Sequence, residues 1–304
     1  MTATATRLDT TTVLLLITAP LLWAGNAIVG RIAAGWIPPV TFNLLRWTLA
    51  LFVLLPLAGW VLRRSSPIWR EWRHYALLGL LAITGYNTLQ YLALHTSSPL
   101  NVTLVASSMP VWMLLVGRIG FAAAVTAKAM AGATLSLAGV AVVLSKGELA
   151  RLLQLQFVPG DGWILLAAFC WAWYSWLLTR RQGAPEVRQD WAAFLLAQIV
   201  FGLIASAGLS AGEWLLPAEP PQIAWSWKLA AVLLFVALGP ALTASRCWGA
   251  GVQRAGPTLA SFFSNLTPLF AALMSAALLG EPPRAYHAIA FLLIVGGIVV
   301  SARR

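Results

Sequence analysis

"PLNVTLVASSMP" (Pro99–Pro110) and "PTLASFFSNLTP" (Pro257–Pro268) are two twelve-residue stretches, each opened and closed by proline and set 158 positions apart. The same offset carries Gly139 of "AGVAVV" onto Gly297 of "GGIVVS". A shorter offset of 148 lays "LLWAGN" near "FCWAWY", matching Trp23 to Trp171. The polar connector "SAGEWLLPAEPPQ" (Ser210–Gln222) absorbs the ten-residue difference. A chain that repeats itself in this way is built from two copies of one unit. The division is expected near residue 150, giving units 1–150 and 151–304.

Composition sets the medium. Of the 304 residues 60% are hydrophobic and 10% charged, and the mean hydropathy is +0.81. A soluble domain carries about a quarter charged residues, so this chain belongs in a bilayer. Ten spans are expected, each near the roughly 20 residues a bilayer core requires. The first five are Val13–Ala34, Pro39–Leu62, Tyr75–Leu94, Leu100–Val116 and Thr126–Leu144. The second five are Gly162–Leu178, Trp191–Leu209, Leu229–Gly249, Leu259–Leu279 and Tyr286–Ser301. The N-terminus is read as a span and not as a cleaved leader, because its apolar run passes any small-residue cleavage site and continues to Ala34, broken only by Arg31. Cys170 and Cys247 lie in apolar runs, so no disulfide framework is suggested.

Five spans per copy is an odd number, which places the second copy upside down relative to the first. The expected fold is therefore an all-α integral membrane protein of ten transmembrane helices in two inverted five-helix repeats. Inverted repeats are a transporter architecture, with the solute site between the halves near the midplane. Pro110 and Pro268 fall inside spans, where each removes a backbone hydrogen bond and bends its helix; the duplicated bend is expected to be a pair of hinges.

The net charge of +11 is spread singly or in pairs between apolar spans, which suits a membrane surface and not nucleic acid. Fourteen Lys and Arg residues fall on the side of the termini, five on the other, and Arg46 within a span. The positive-inside rule then puts both termini in the cytoplasm, and the expected location is the bacterial inner membrane. All nine acidic residues and the three histidines are peripheral. Proton relays usually run through buried Asp, Glu or His, so facilitated export is expected over tight proton coupling. Neither H-E-x-x-H nor G-x-S-x-G occurs, and no buried carboxylate pair marks an enzyme. No ring of charges marks a channel.

The stretch "GPTLASFFSNLTPLFAALMSAALLGE" and the paired openings "LLWAGN" and "FCWAWYSWLL" resemble the EamA branch of the drug/metabolite transporter superfamily. Within that branch the chain looks most like the YddG-type amino-acid exporters. The resemblance covers essentially the whole chain and implies the ten-span, two-repeat plan. One departure is that Gly280–Glu281, which closes the ninth span, has Ala122–Ala123 at the matching place in the first half.

Polar side chains within spans face a bundle interior or a watery path by default. Tyr86, Asn87, Gln90 and Tyr91 recur at helical spacing on one face of the third span. Trp23, Asn26 and Gly30 share a stripe in the first, and Trp171, Tyr174 and Ser175 in the sixth. Ser107, Ser108 and Trp112 flank Pro110, while Ser261, Ser264, Asn265 and Thr267 precede Pro268. The competing explanation is hydrogen bonding between helices that small residues allow to approach.

Arg46 lies roughly 10 Å into its span at about 1.5 Å per residue, where it either meets a substrate carboxylate or anchors helix-end carbonyls. Arg246 is expected to snorkel. The expected substrate-binding set is Trp23, Asn26, Arg46, Tyr86, Asn87, Gln90, Tyr91, Ser108, Trp112, Trp171, Tyr174, Ser264 and Asn265. Such a wall suits small neutral or zwitterionic solutes with an apolar part, amino acids above all. Lipophilic drugs or cations are the alternative, for which a cavity without carboxylates is poorly equipped. Neither a cofactor nor a metal is implied. The expected partners are the solute and the bilayer, in a monomer or weak oligomer.

Overall fold

Apolar runs near 20 residues have one satisfactory form in lipid, the helix, because it pairs its own backbone. The computed structural model describes residues 8–97, 99–154, 156, 158–217, 221–278 and 284–302, and among these no strand occurs. Arg7, Gly280 and Glu281 lie outside them. The long elements of the first repeat are α1 (Thr10–Ala33), α2 (Pro39–Ala58), α3 (Trp72–Leu94), α4 (Pro99–Ala106 and Met109–Phe121) and α5 (Ala127–Leu144). Those of the second are α6 (Pro159–Leu177), α7 (Trp191–Leu215), α8 (Trp227–Ala255), α9 (Pro257–Ser264 and Leu266–Leu278) and α10 (Ala285–Ala302). Among the described residues, nine of these are long and apolar enough to cross a membrane. The remaining one, α6, has 19 residues with Asp161 in its first turn and four tryptophans, which lower its mean hydropathy.

Several helix ends differ from expectation, each for a local reason. Helix α1 starts at Thr10 because Asp9 accepts the Thr12 N–H at 2.7 Å, an N-cap worth about 1 kcal/mol. The second piece of α4 runs on to Phe121 and stops where Ala122 turns left-handed at φ 51°. Helix α7 continues to Leu215, so Ser210–Leu215 of the expected connector is helical. That extension carries Glu213 to the start of α2, where its two oxygens accept the Val40 and Thr41 N–H groups at 2.9 and 2.7 Å. A carboxylate on a helix N-terminus meets both unpaired donors and the positive end of the dipole.

The repeat is plain in the backbone. Helix α3 contains a π-helical turn at Leu80–Tyr86, and α8 contains one at Ala237–Thr243, 157 positions later. In each, a side chain near the turn's end bonds the carbonyl five residues back: Asn87 Nδ2 to Ala82 at 2.6 Å, and Thr243 Oγ1 to Leu238 at 2.8 Å. Helices α4 and α9 both break, and their first pieces end at Ala106 and Ser264, four residues before Pro110 and Pro268. Proline's ring collides with the carbonyl four residues back, so both breaks have the expected cause. The fifth helices of the two repeats, α5 and α10, pack against each other through Gly132 and Gly297. A Cβ added at either would lie 2.7 or 2.6 Å from the other's carbonyl oxygen, so only glycine permits this approach.

Candidate functional site

The polar face of α3, the C-terminal half of α1 and the broken helices α4 and α9 surround a cavity of about 140 Å³. It runs from Trp171, Tyr174, Ser264 and Asn265 to Arg31 on α1, Leu94 on α3 and Val102 on α4. There it meets a vestibule of about 360 Å³, which shares Arg31, Tyr91 and Leu94 and adds Gly30, Pro39 and Phe42.

The other end is closed by packed rings, tilted or edge-on to one another. Trp23 and Trp171 meet edge to face at 5.4 Å, and both lie within 6 Å of Trp248, at 5.3 and 5.8 Å. Tyr86 and Tyr174 flank Trp171 at 4.8 and 5.1 Å. Trp248 is fully buried and donates its indole N–H to Ser175 Oγ at 3.1 Å, which accounts for Ser175 without a solute. Aromatic pairs of this kind add about 0.5–1.5 kcal/mol each beyond the area they bury.

The structure brings eleven of the thirteen expected side chains to the cavity: Trp23, Asn26, Arg46, Tyr86, Asn87, Gln90, Tyr91, Trp171, Tyr174, Ser264 and Asn265. Pro268 also lines it, whereas Pro110 is buried away from it. Ser108 and Trp112 are the exceptions. The turn at Ser107–Ser108 breaks the helical phase, so Ser107 faces the cavity while Ser108 bonds back to Val105 O at 2.6 Å. Trp112 instead packs edge-on against Phe169 of α6, with centroids 5.6 Å apart. Sequence reasoning did not select Arg31, Trp47, Thr103, Gln198 or Ser245, all of which line the cavity. Gln198 had a legible signal as a single amide in the apolar run "FLLAQIVFG".

Arg46 dominates the electrostatics. It is 2% exposed, and its NH1 donates to the Tyr91 hydroxyl at 2.7 Å and reaches Asn26 Oδ1 at 3.5 Å. Tyr91 donates in turn to Asn26 at 3.3 Å. Its guanidinium also lies 5.2 Å from the Trp47 ring centroid. Nε has no partner, and among the described residues no carboxylate pairs with Arg46 or lines the cavity. A buried charge without a counter-ion costs several kcal/mol. Arg246, by contrast, is exposed and lies over the face of Trp191 at 4.4 Å, as a snorkelling side chain should.

Asn87 and Asn265 are already engaged. Asn87 holds the π-turn carbonyl of Ala82, and Asn265 Nδ2 donates to Ser136 Oγ on α5 at 2.8 Å. Tyr86, Gln90 and Tyr174 hydrogen-bond to nothing among the described residues, so their polar groups remain available to a solute.

A solved crystal structure shares this fold, with a TM-score of 0.72 at 24% identity and 96% of each chain covered. A protein of Archaeoglobus fulgidus named "uncharacterized transporter" is 26% identical over 98% of this chain and 99% of its own length. The aromatic amino acid exporter YddG of Ancylobacter novellus is 28% identical over 93% of this chain and 94% of its own. The model of the EamA-like transporter family matches twice, at residues 10–145 and 158–303. The chain is a two-repeat membrane transporter and belongs to the EamA-like transporter family.

Proposed function

We propose that the protein exports small zwitterionic or aromatic metabolites, amino acids above all, by alternating access through the cavity between its repeats. The observation that carries this reading is Arg46, a buried cation with no anionic partner among the described residues, on the wall of a cavity. A solute carboxylate supplies the missing counter-ion and takes two hydrogen bonds from the guanidinium fork. Arg31 at the cavity mouth adds a second positive charge on the same path. The aromatic wall suits an apolar side chain, and the relative named as an aromatic amino acid exporter lends the same support. At about 140 Å³ the cavity lies below the roughly 300–1,000 Å³ usual for drug-sized ligands. The ring cluster of Trp23, Trp171 and Tyr86 is what favours lipophilic cations instead, but two arginines would repel them.

In this reading the ten helices all span the inner membrane, the repeats divide near residue 150, and both termini are cytoplasmic. Uptake into proteoliposomes, with amino acids and lipophilic cations in parallel and with and without a proton gradient, tests it. Arg46→Gln is expected to reduce amino-acid flux at least about tenfold, the worth of a charge-assisted hydrogen bond. Arg46→Lys should recover only part of it, since an ammonium lacks the planar fork. Full amino-acid flux in Arg46→Gln, or flux of cations alone, would refute the proposal.

A further inference from the structure

We propose that Tyr91 is the gate at the mouth of the cavity, held open by Arg46 until a solute carboxylate displaces its hydroxyl. The inference rests on the reading of Arg46 as the carboxylate site and adds how an occupied cavity is told from an empty one.

The repeat supplies the comparison. The offset of 157 that lays the π-turn of α3 on that of α8 carries Tyr91 onto Trp248. The offset of 148 pairs Trp23 with Trp171. Because the repeats are inverted, what Trp248 does at the sealed end falls to Tyr91 at the mouth.

Both rings are tethered by their polar tips to the first helix of their own repeat. Trp248 Nε1 donates to Ser175 Oγ on α6 at 3.1 Å, and the Tyr91 hydroxyl donates to Asn26 Oδ1 on α1 at 3.3 Å. Their faces are used differently. Trp248 also packs on the other repeat, with its ring 5.3 Å from that of Trp23, and this contact helps close its end. The matching contact for Tyr91 is with Trp171, and it is not made: among the described residues the ring that Tyr91 meets is Phe42 of its own repeat, at 5.3 Å. Tyr91 stands where cavity and vestibule join and lines both, so its ring drawn across to Trp171 divides them.

What keeps Tyr91 on its own side is Arg46. Nη1 donates to the Tyr91 hydroxyl at 2.7 Å, against 3.5 Å to Asn26. Nη2 makes no hydrogen bond among the described residues and, unlike Nε, is not enclosed by protein. Half of the guanidinium fork is therefore open to the cavity, and the other half is occupied by the gate.

A carboxylate that takes the fork end-on needs one hydrogen from each Nη, so it must displace a partner of Nη1. A solute in the vestibule meets the Tyr91 side first, since Tyr91 borders the vestibule and Asn26 does not. For a guanidinium a carboxylate is a stronger acceptor than a neutral hydroxyl, so the exchange runs toward the solute. The released hydroxyl keeps Asn26 as its partner, and the ring is free to meet Trp171 over the bound solute. Departure of the solute returns Arg46 to Tyr91 and reopens the mouth. A ligand that favours the closed arrangement in this way shifts the population toward it.

The test is Tyr91→Phe, which keeps the ring and removes the hydroxyl. Radiolabelled phenylalanine is the probe, for binding to the purified protein in nanodiscs and for influx into proteoliposomes. With no latch to break, Kd should fall about tenfold, the worth of one hydrogen bond to a charged group. At the same time kcat should fall, because nothing draws the gate back. A hydroxyl that only oriented Arg46 or touched the solute would give the opposite sign, a raised Kd. That result, or an unchanged Kd, overturns the latch and leaves the amino-acid reading standing. Tyr91→Ala removes the ring as well, and bound phenylalanine should leave about tenfold faster than from Tyr91→Phe, the upper worth of an aromatic pair. Equal dissociation rates overturn the gate. Should Tyr91→Ala fail to fold, the sign of the change in Kd for Tyr91→Phe decides alone. Phenylalanine binding that Arg46→Gln leaves unchanged, or that is absent in wild type, overturns the carboxylate reading on which the latch rests.

Discussion

Asn87 and Gln90 sit one turn apart on the same face of α3 and line the same cavity, yet their side chains are used differently. Asn87 is buried and holds the Ala82 carbonyl, which the π-turn takes out of the regular ladder; Gln90 is half-buried and bonds to nothing in the protein. Asn87→Ala is therefore expected to destabilise the fold by about 1–3 kcal/mol, seen as a lower melting temperature in detergent. Gln90→Ala should melt as wild type and lose transport. Equal melting losses would mean that Gln90 is a packing residue as well. The face formed by Tyr86, Asn87, Gln90 and Tyr91 was legible because polar groups at helical spacing are costly in lipid unless they face inward. The division of labour within it was not legible, since it depends on which carbonyl the π-turn frees. Ser108 and Trp112 were misplaced for a related reason: α4 breaks at Ser107–Ser108, and spacing ceases to report direction across such a break. Gln198 offered the opposite case, one amide with no periodic companion, whose unpaired oxygen appears only when Phe194 claims the other end.

At the scale of elements, the proline brackets and the π-turns are two interruptions that each repeat supplies once. The prolines announced theirs, because a missing N–H and a ring clash follow from the residue itself. The π-turn at Leu80–Tyr86 contains no proline, and its partner at Ala237–Thr243 contains Pro240, so no shared residue marks the pair in the sequence. Single π-turns inside helices are frequent at functional sites, and here both line the cavity, one through Ala82, Ile83 and Tyr86 and the other through Pro240. The proposal that Pro110 and Pro268 are hinges leads to a kinetic expectation. Pro268→Ala returns a donor for the Ser264 carbonyl and should join the two pieces of α9 without unfolding them. Transport should slow while solute affinity changes less, and Pro110→Ala should act the same way on α4, with the double variant slower than either. Initial rates and equilibrium binding, measured separately, decide this. Wild-type rates in both single variants would make the breaks static features of packing.

For the whole molecule, the direction of transport depends on which side of the bilayer holds the termini. The cavity reaches the end of the bundle where α1 and α3 finish and α4 begins, and the opposite end is sealed by Trp23, Trp171 and Trp248. The sequence expectation assigns fourteen Lys and Arg residues to the side of the termini and five to the other, a bias from which the positive-inside rule predicts a cytoplasmic seal and an outward mouth. Two exposed positions separate the alternatives. Ser65 lies between α2 and α3 on the sealed side, and Thr96 is the exposed last helical residue at the mouth end of α3. In a background without Cys170 and Cys247, Thr96→Cys should react with an impermeant thiol reagent applied to intact cells, and Ser65→Cys should react only after the membrane is opened. Neither substitution alters a charge, so the labelling reports topology without disturbing the bias that sets it. In inside-out vesicles the pattern should reverse, which controls for intrinsic differences in reactivity. Should Ser65→Cys label from outside in intact cells, the mouth faces the cytoplasm in this conformation. The solute then enters at Arg31 from within the cell, and the ring cluster becomes the outer gate.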